Sequence, residues 1–148
     1  MINILIGKGL ENVPFGIDQD QLKTILGEPD EIEKSPSVDP DEPNSEVWHY
    51  DEHEITALFD YYDQAWELVS LATVSEEATL NGVKLVGLSK KEVIKAVQNL
   101  SLGKYTNEIL TTDETPSESI LSFEASGLDL WFEGDHLAEI QWSPIVEE

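Results

Sequence analysis

The chain carries the same order of apolar and polar positions twice, 71 residues apart. In each copy, a glycine-containing segment leads into a stripe of apolar residues spaced three or four positions apart, which is typical of an amphipathic helix. The stripes are Leu22, Ile25 and Leu26 in the first copy and Val93, Ala96, Val97 and Leu100 in the second. The repetition predicts a duplicated structural unit with one helix in each copy.

Residues that favour the start of a helix precede both stripes. Asp18 and Ser89 suit the N-cap position, and a glutamine or glutamate three residues later completes a capping box in each copy. Gly27, with Pro29 beyond it, predicts the end of the first helix. The second helix has no such stop, so we expect it to run about one turn longer, toward Gly103.

Each predicted helix is followed by a polar, proline-containing loop (residues 34–46 and 111–119) and then by three strand-like segments. The segments are residues 47–50, 55–60 and 68–71 in the first copy and 120–123, 128–133 and 137–140 in the second. Residues 1–7 predict one further strand. We therefore expect an α+β fold in one compact domain, residues 1–148, in which two tandem helix–loop–three-strand repeats (about 1–76 and 77–148) share one antiparallel sheet with both helices on one face.

Alternation along the strands assigns side chains to the two faces of this sheet. The positions expected to face the core are Trp48, Tyr50, Ile55, Ala57, Phe59, Val69, Leu71, Leu121, Phe123, Leu128, Leu130, Phe132, Ala138, Ile140 and Trp142. The positions expected on the open face are His49, Asp51, Thr56, Leu58, Asp60, Ser70, Ser122, Glu124, Asp129, Trp131, Glu133, Glu139 and Gln141. The sequence thus predicts a helix-free, acidic sheet face that contains a tryptophan.

The net charge of the chain limits the kinds of partner that it can bind. Thirty-one aspartates and glutamates oppose eight basic residues, all of them lysine, which gives a formal net charge of −23. Such a field repels phosphate, so nucleic-acid binding and anionic membrane surfaces are excluded. No cysteine is present, which excludes disulfides and thiol chemistry. At 40% hydrophobic residues, the composition remains that of a folded domain.

The chain shows no targeting signal. Residues 1–7 have no basic region and too short an apolar run for a signal peptide, and no later stretch approaches the ~20 apolar residues that cross a bilayer. We therefore expect a cytoplasmic protein.

No catalytic pattern is present in the sequence. It contains no nucleophile elbow, phosphate-binding glycine loop or calcium loop, and none of its many carboxylate pairs is singled out as an acid–base pair. His49 and His53 are four residues apart, but they flank a predicted hairpin turn. We therefore interpret them as surface histidines and not as a pair of metal ligands. We expect a non-enzyme with no cofactor and no metal.

Residues 16–29 carry a helix-to-strand pattern with a family likeness. The pattern consists of Gly16-Ile17-Asp18-Gln19-Asp20-Gln21-Leu22, then Ile25-Leu26-Gly27-Glu28-Pro29, with Trp48 and Tyr50 after a loop. It resembles the signature of the SmpA/OmlA outer-membrane lipoproteins. A tandem pair of such units resembles the β-lactamase inhibitory protein architecture, in which a concave sheet grips a partner protein. The resemblance implies a fold and a habit of binding proteins.

Two groups of residues are candidates for binding a partner. On the open face, Asp60, Asp129, Glu133 and Glu139 supply charge and Trp131 an aromatic anchor. The alternative for this group is an ordinary solvated face with a packing tryptophan. The second group is the aromatic hairpin end with Tyr61, Tyr62 and Trp66, whose alternative is a cap over the core edge.

These features favour an acidic binding protein that neutralises a basic partner, such as an immunity protein for a basic nuclease toxin. Opposite charge accelerates encounter, and carboxylates can occupy a pocket meant for phosphates. The alternative is a non-catalytic accessory or scaffold domain that self-associates through the sheet face, with acidity serving only solubility.

Overall fold

Twelve strands and two α-helices make up the described part of the chain, which in this computed structural model is residues 2–35, 44–62, 64–109 and 118–145, without the side chain of Tyr62. The helices are α1 (Gln19–Leu26) and α2 (Lys90–Val97). The strands are β1 (Asn3–Leu5), β2 (Gly9–Leu10), β3 (Glu31–Ser35), β4 (Asn44–Tyr50), β5 (Ile55–Tyr62), β6 (Ala65–Thr73), β7 (Thr79–Leu80), β8 (Val83–Lys84), β9 (Thr106–Ile109), β10 (Glu118–Phe123), β11 (Leu128–Glu133) and β12 (His136–Trp142).

The strands form two sheets. The larger has eight antiparallel strands in the order β3-β4-β5-β6-β12-β11-β10-β9, so that each half of the chain contributes a four-stranded meander. The two meanders meet where β6 pairs with β12 over three residue pairs, from Leu71 with Trp142 to Thr73 with Ile140. The smaller sheet has the order β2-β1-β7-β8, and its central pair, β1 and β7, is parallel.

The predicted α+β class is wrong, because the protein is mostly β, with 49% strand and 17% helical residues. The prediction missed the smaller sheet, whose strands are two or three residues long and show too few alternations to be recognised. It also missed the edge strands β3 and β9, whose residues are all exposed and so carry no buried apolar face. Of the two predicted loops, residues 36–43 and 111–117 lie outside the described part.

Both predicted capping boxes are present. Asp18 Oδ1 accepts a hydrogen bond from the Gln21 amide at 2.8 Å, and Ser89 Oγ accepts one from the Glu92 amide at 3.2 Å. α1 ends at Gly27, whose φ of 90° favours glycine. α2 continues into a 3₁₀ turn at Gln98–Leu100 and stops at Ser101, which is left-handed, so the expected extra turn is of the tighter 3₁₀ kind.

The segments before the helices pair with β6 and β12 in the same way in both halves. The Gly16 amide donates to the Leu68 carbonyl and the Leu68 amide to the Ile17 carbonyl, each at 2.9 Å. In the second half, the Gly87 and Leu137 amides donate to the Leu137 and Leu88 carbonyls at 2.8 and 2.9 Å. These bonds fix the start of each helix beside a central strand of the large sheet.

A β-bulge follows each of these paired leucines and shifts the alternation. Along β5, Leu58 pairs with Ser70 but Phe59 pairs with Leu68, which leaves Val69 as the extra residue. The same irregularity between β11 and β12 leaves Ala138 as the extra residue. The assignment of Val69 and Ala138 to the core is therefore wrong. Leu68 and Leu137, at 0% and 1% exposure, are the buried residues instead.

One buried cluster lies on the inward face of the large sheet. It joins the strand residues Phe59, Leu130 and Trp142 to Leu22 of α1 and Val93 of α2, and the smaller sheet adds further members. The Trp142 indole N–H donates to the Gly9 carbonyl at 2.9 Å, which ties β12 to β2. No helix in the described residues has both the length and the apolar character needed to span a membrane.

Candidate protein-binding face

The outward face is the side of the large sheet opposite the buried cluster. Its central row crosses all eight strands through directly paired residues: Glu31, His49, Thr56, Ala72, Gln141, Asp129, Ser122 and Thr106. Hydrogen bonds join members of this face to one another, as between Ser45 Oγ and Asp60 Oδ1 at 2.7 Å. Two residues predicted for the face are not on it, since Asp51 follows the end of β4 and Glu124 begins a 3₁₀ turn after β10.

The outward face is strongly acidic. Nine carboxylates occupy outward-facing strand positions among the described residues: Glu31, Glu33, Asp60, Glu67, Glu108, Glu118, Asp129, Glu133 and Glu139. No lysine occupies such a position in those strands. Two lysines instead lie on the inward side, where Lys23 Nζ is 5.5 Å from the centre of the Trp48 ring and Lys90 Nζ is 5.3 Å from that of Phe132. The charge is therefore distributed unequally between the two sides of the sheet.

Trp131 and Glu139 form a cross-strand pair on this face. Both are half-buried, and burial raises the pKa of the Glu139 carboxyl above its usual range. Within the described chain, Glu139 has neither a hydrogen-bond donor nor a cation as partner, and the buried indole N–H of Trp131 has no acceptor. A half-buried, unpaired carboxylate beside an unsatisfied donor lowers stability, which is typical of a functional position.

The equivalent pair in the first half has different chemistry. The two bulges place Leu58 opposite Ser70 where the second half has Trp131 opposite Glu139. Ser70 is buried and its hydroxyl donates to the Trp142 carbonyl at 3.2 Å, so its polar group is satisfied. Because the same backbone accepts leucine and serine, the fold itself does not require tryptophan and glutamate at these positions.

Replacing Glu139 with glutamine should stabilise the protein at neutral pH. The folded-state pKa of Glu139 is raised, so the charged form weakens the fold above that pKa, and the penalty vanishes below the ordinary glutamate pKa of about 4.3. Since half of the group remains hydrated, we expect a gain of less than about 1 kcal/mol at pH 7 and none near pH 3.5. Urea unfolding at both pH values measures it. Glu133→Gln, an exposed change of equal charge on the same face, is the control, and an equal gain there would contradict the prediction.

A small cleft opens beside Glu139. Its volume is about 160 Å³, enough for roughly five water molecules at ~30 Å³ each. Its lining residues include Ala72 and Val74 together with the acidic residues Asp51, Glu54 and Glu139. A cleft lined by aliphatic and acidic residues is suited to the end of a cationic side chain.

Four of the predicted binding residues lie together and one lies apart. Asp129, Trp131, Glu133 and Glu139 are neighbours on β11 and β12. Asp60 is on β5, on the other side of the central row, roughly 25 Å away by strand spacing and residue rise. The predicted carboxylates therefore lie in two separate places on the outward face, with uncharged residues between them, and the aromatic anchor belongs to the second half alone.

The aromatic hairpin end lies on the inward side. Tyr61 pairs with Trp66, their ring centres are 5.2 Å apart, and both follow the alternation of the core residues Phe59 and Leu68. Trp66 packs against the buried cluster. This arrangement has the geometry of a cap over the core edge, separate from Trp131. The side chain of Tyr62 and residue 63 lie outside the described part.

Sequence reasoning missed the acidic residues of the edge strands. Glu31 and Glu33 on β3 extend the outward face beside His49, and Glu108 on β9 extends it at the opposite edge. The alternation Glu31-Ile32-Glu33 is the signal that would have revealed β3 as a strand with two carboxylates on one side. The ligand atoms of Glu31, Glu33 and His49 all lie within 4.8 Å of one another, an arrangement able to hold a metal ion. His53 packs instead against Tyr50, with ring centres 6.1 Å apart.

No protein-family model, no curated protein and no solved structure matches this chain. The likeness to the SmpA/OmlA lipoproteins and to the β-lactamase inhibitory protein architecture therefore stays a prediction.

Proposed function

We propose that this chain is an acidic cytoplasmic protein of the inhibitor or immunity type, which binds and neutralises a basic protein through its outward face. A nuclease toxin domain is the partner class that fits best, because its phosphate-binding surface is cationic. The chain's carboxylates would occupy that surface and block access of nucleic acid. No catalytic step is assigned to the protein.

The pair of Trp131 and Glu139 is the observation that carries this proposal. The carboxyl of Glu139 is half-buried without a cation, and the indole beside it is partly exposed on a face that is mostly polar. A cationic side chain from a partner would pair with the carboxylate and contact the aromatic ring, which relieves the cost of burying the charge. A buried aromatic anchor surrounded by charged residues is the usual composition of an interface centre and its rim.

Charge complementarity supports a basic partner over a neutral one. Nine outward-facing carboxylates with no lysine among them produce a field that attracts a cationic protein from a distance and repels anionic competitors. The adjacent cleft with Asp51, Glu54 and Glu139 offers a place for one arginine or lysine of that partner. The electrostatic field accounts for fast association with the partner. The cleft and the Trp131 indole account for the orientation in which the partner binds.

The test is capture of the partner at low salt with a photo-crosslinking residue placed at Ser122 on the outward face. We expect a basic protein to be recovered crosslinked to position 122, and Trp131→Ala to abolish recovery. Leu58→Ala is the matched control, because it shortens the equivalent side chain in the other half, and it should leave recovery unchanged.

Three results would refute the proposal: recovery of acidic or neutral proteins alone, equal loss in both variants, or crosslinks confined to another copy of the chain. The last result would establish self-association through this face. Sedimentation of the wild type and of Trp131→Ala identifies that case directly, since only a dimer held by the indole dissociates on the substitution.

A further inference from the structure

We propose that Glu31, Glu33 and His49, here called the edge triad, bind one divalent transition-metal ion of the Zn²⁺ class. The triad lies on the outward face at the β3 edge of the large sheet, four strands from β12. The proposal does not rest on the protein-binding role, because the edge triad includes neither Trp131 nor Glu139 nor a residue of the adjacent cleft, although Glu31 and Glu33 are two of the nine outward-facing carboxylates.

The backbone register brings the three side chains together. Glu31 is directly opposite His49 across β3 and β4, and Glu33 is two residues further along β3 on the same face. His49 Nε2 lies 3.5 Å from Glu33 Oε1, and all three ligand atoms are within 4.8 Å of one another. Ligands held about 2.0–2.2 Å from a tetrahedral zinc ion are roughly 3.4 Å apart. The histidine and Glu33 already have this separation, and the ligand atom of the exposed Glu31 lies within 4.8 Å of both.

The imidazole of His49 provides an independent indication of a ligand. Its Nε2 atom is buried from solvent and has no hydrogen-bond partner in the described structure, although it faces the two carboxylates. Its Nδ1 atom lies 3.4 Å from Thr56 Oγ1. In histidine metal sites, one ring nitrogen binds the ion and the other is held by an outer hydrogen bond, which is the division of roles seen here. A ring nitrogen without a hydrogen bond, 3.5 Å from the carboxylate oxygen of Glu33, is placed where a cation bound between the two would satisfy it.

The donor set and its access define the class of ion. Imidazole nitrogen with two carboxylates favours zinc and related transition metals, whereas magnesium and calcium prefer oxygen ligands alone. The side chain of Glu33 is 60% exposed, so an ion can approach the edge triad from the carboxylate side, where water can complete its coordination. Bound there, the ion would tie the edge strand β3, all of whose residues are exposed, to its neighbour β4.

Calorimetric titration of the metal-free full chain with ZnCl₂ tests the site. We expect one ion per chain, with affinity reduced at least tenfold by His49→Ala and at least tenfold by Glu33→Gln. His53→Ala and Glu52→Gln are the matched controls, since they remove a nearby imidazole and a nearby exposed carboxylate outside the triad, and they should bind zinc as the wild type does. Co²⁺ in place of zinc should give the visible absorption of a low-coordinate site in the wild type and lose it in His49→Ala.

Zinc should also raise the midpoint of thermal unfolding in the wild type and in His53→Ala, with no rise in His49→Ala. The proposal is overturned if zinc does not bind saturably at micromolar concentration, if His49→Ala binds it unchanged, or if magnesium competes equally. Glu33→Gln changes an exposed side chain, so it still decides the question if His49→Ala fails to fold.

Discussion

Trp142→Ala is expected to lower the free energy of unfolding by about 3–5 kcal/mol, the usual range for removing a buried tryptophan. The indole is 0% exposed and belongs to the buried cluster. Its N–H donates to the Gly9 carbonyl at 2.9 Å, and the substitution leaves that carbonyl without this donor. The residue also pairs with Leu71 where the two meanders meet, so the loss affects both halves of the sheet and the smaller sheet together.

Trp131→Ala on the outward face provides the comparison. It removes a side chain of the same size that packs across strands on a half-exposed surface, so we expect a loss of about 1 kcal/mol or less. Urea unfolding followed by circular dichroism measures both variants. A loss at position 131 as large as that at 142 would show that the outward indole is a structural residue and would weaken the proposed interface.

Neutralising the acidic group on β11 and β12 is expected to have the largest effect on binding. The triple variant Asp129→Asn, Glu133→Gln and Glu139→Gln should slow association with the basic partner about 10- to 100-fold at low salt, because electrostatic steering accelerates encounter by such factors. Dissociation should also become faster, because Glu139 is the half-buried member of the group. Stopped-flow or surface-binding kinetics at several salt concentrations measure both effects.

A second triple variant with the same net charge separates local from global electrostatics. Glu11→Gln, Asp20→Asn and Glu76→Gln removes three exposed carboxylates at positions outside the strands of the large sheet. We expect its association rate to stay within about threefold of the wild type, and the difference between the two triple variants to shrink as salt rises. Equal slowing in both would mean that net charge alone, and not this face, attracts the partner.

The fold could be predicted only in part because the sequence signals differ in strength. Capping boxes at Asp18 and Ser89 depend on local hydrogen bonds, and both were found where the sequence placed them. The edge strands and the smaller sheet are defined by backbone pairing with distant segments, and their short or exposed sequences carry little pattern. For that reason the class was predicted as α+β, although 49% of the described residues are in strands and only 17% are helical.

The sheet face on which each strand residue lies was easier to predict than the fold class. Strict alternation through Leu128, Leu130 and Phe132 assigned Trp131 to the outward face correctly. Alternation failed at the bulges, where one extra residue changes which neighbours face the core, as at Val69 and Ala138, and beyond the strand ends, as at Asp51 and Glu124. The contribution of β3 was not visible, because Glu31 and Glu33 meet His49 only through a strand pairing that the sequence does not reveal.

The pairing of β6 with β12 has a consequence for how this surface came to be asymmetric. The two meanders meet in antiparallel fashion with equivalent segments on either side, the geometry of a symmetric dimer of two half-length chains. Identical subunits are obliged to display the same residue at both corresponding positions. In one continuous chain the two equivalent positions can carry different residues, so one half has Leu58 where the other has Trp131. Covalent connection of the halves is thus what allows a two-fold scaffold to carry the proposed binding residues on one half only.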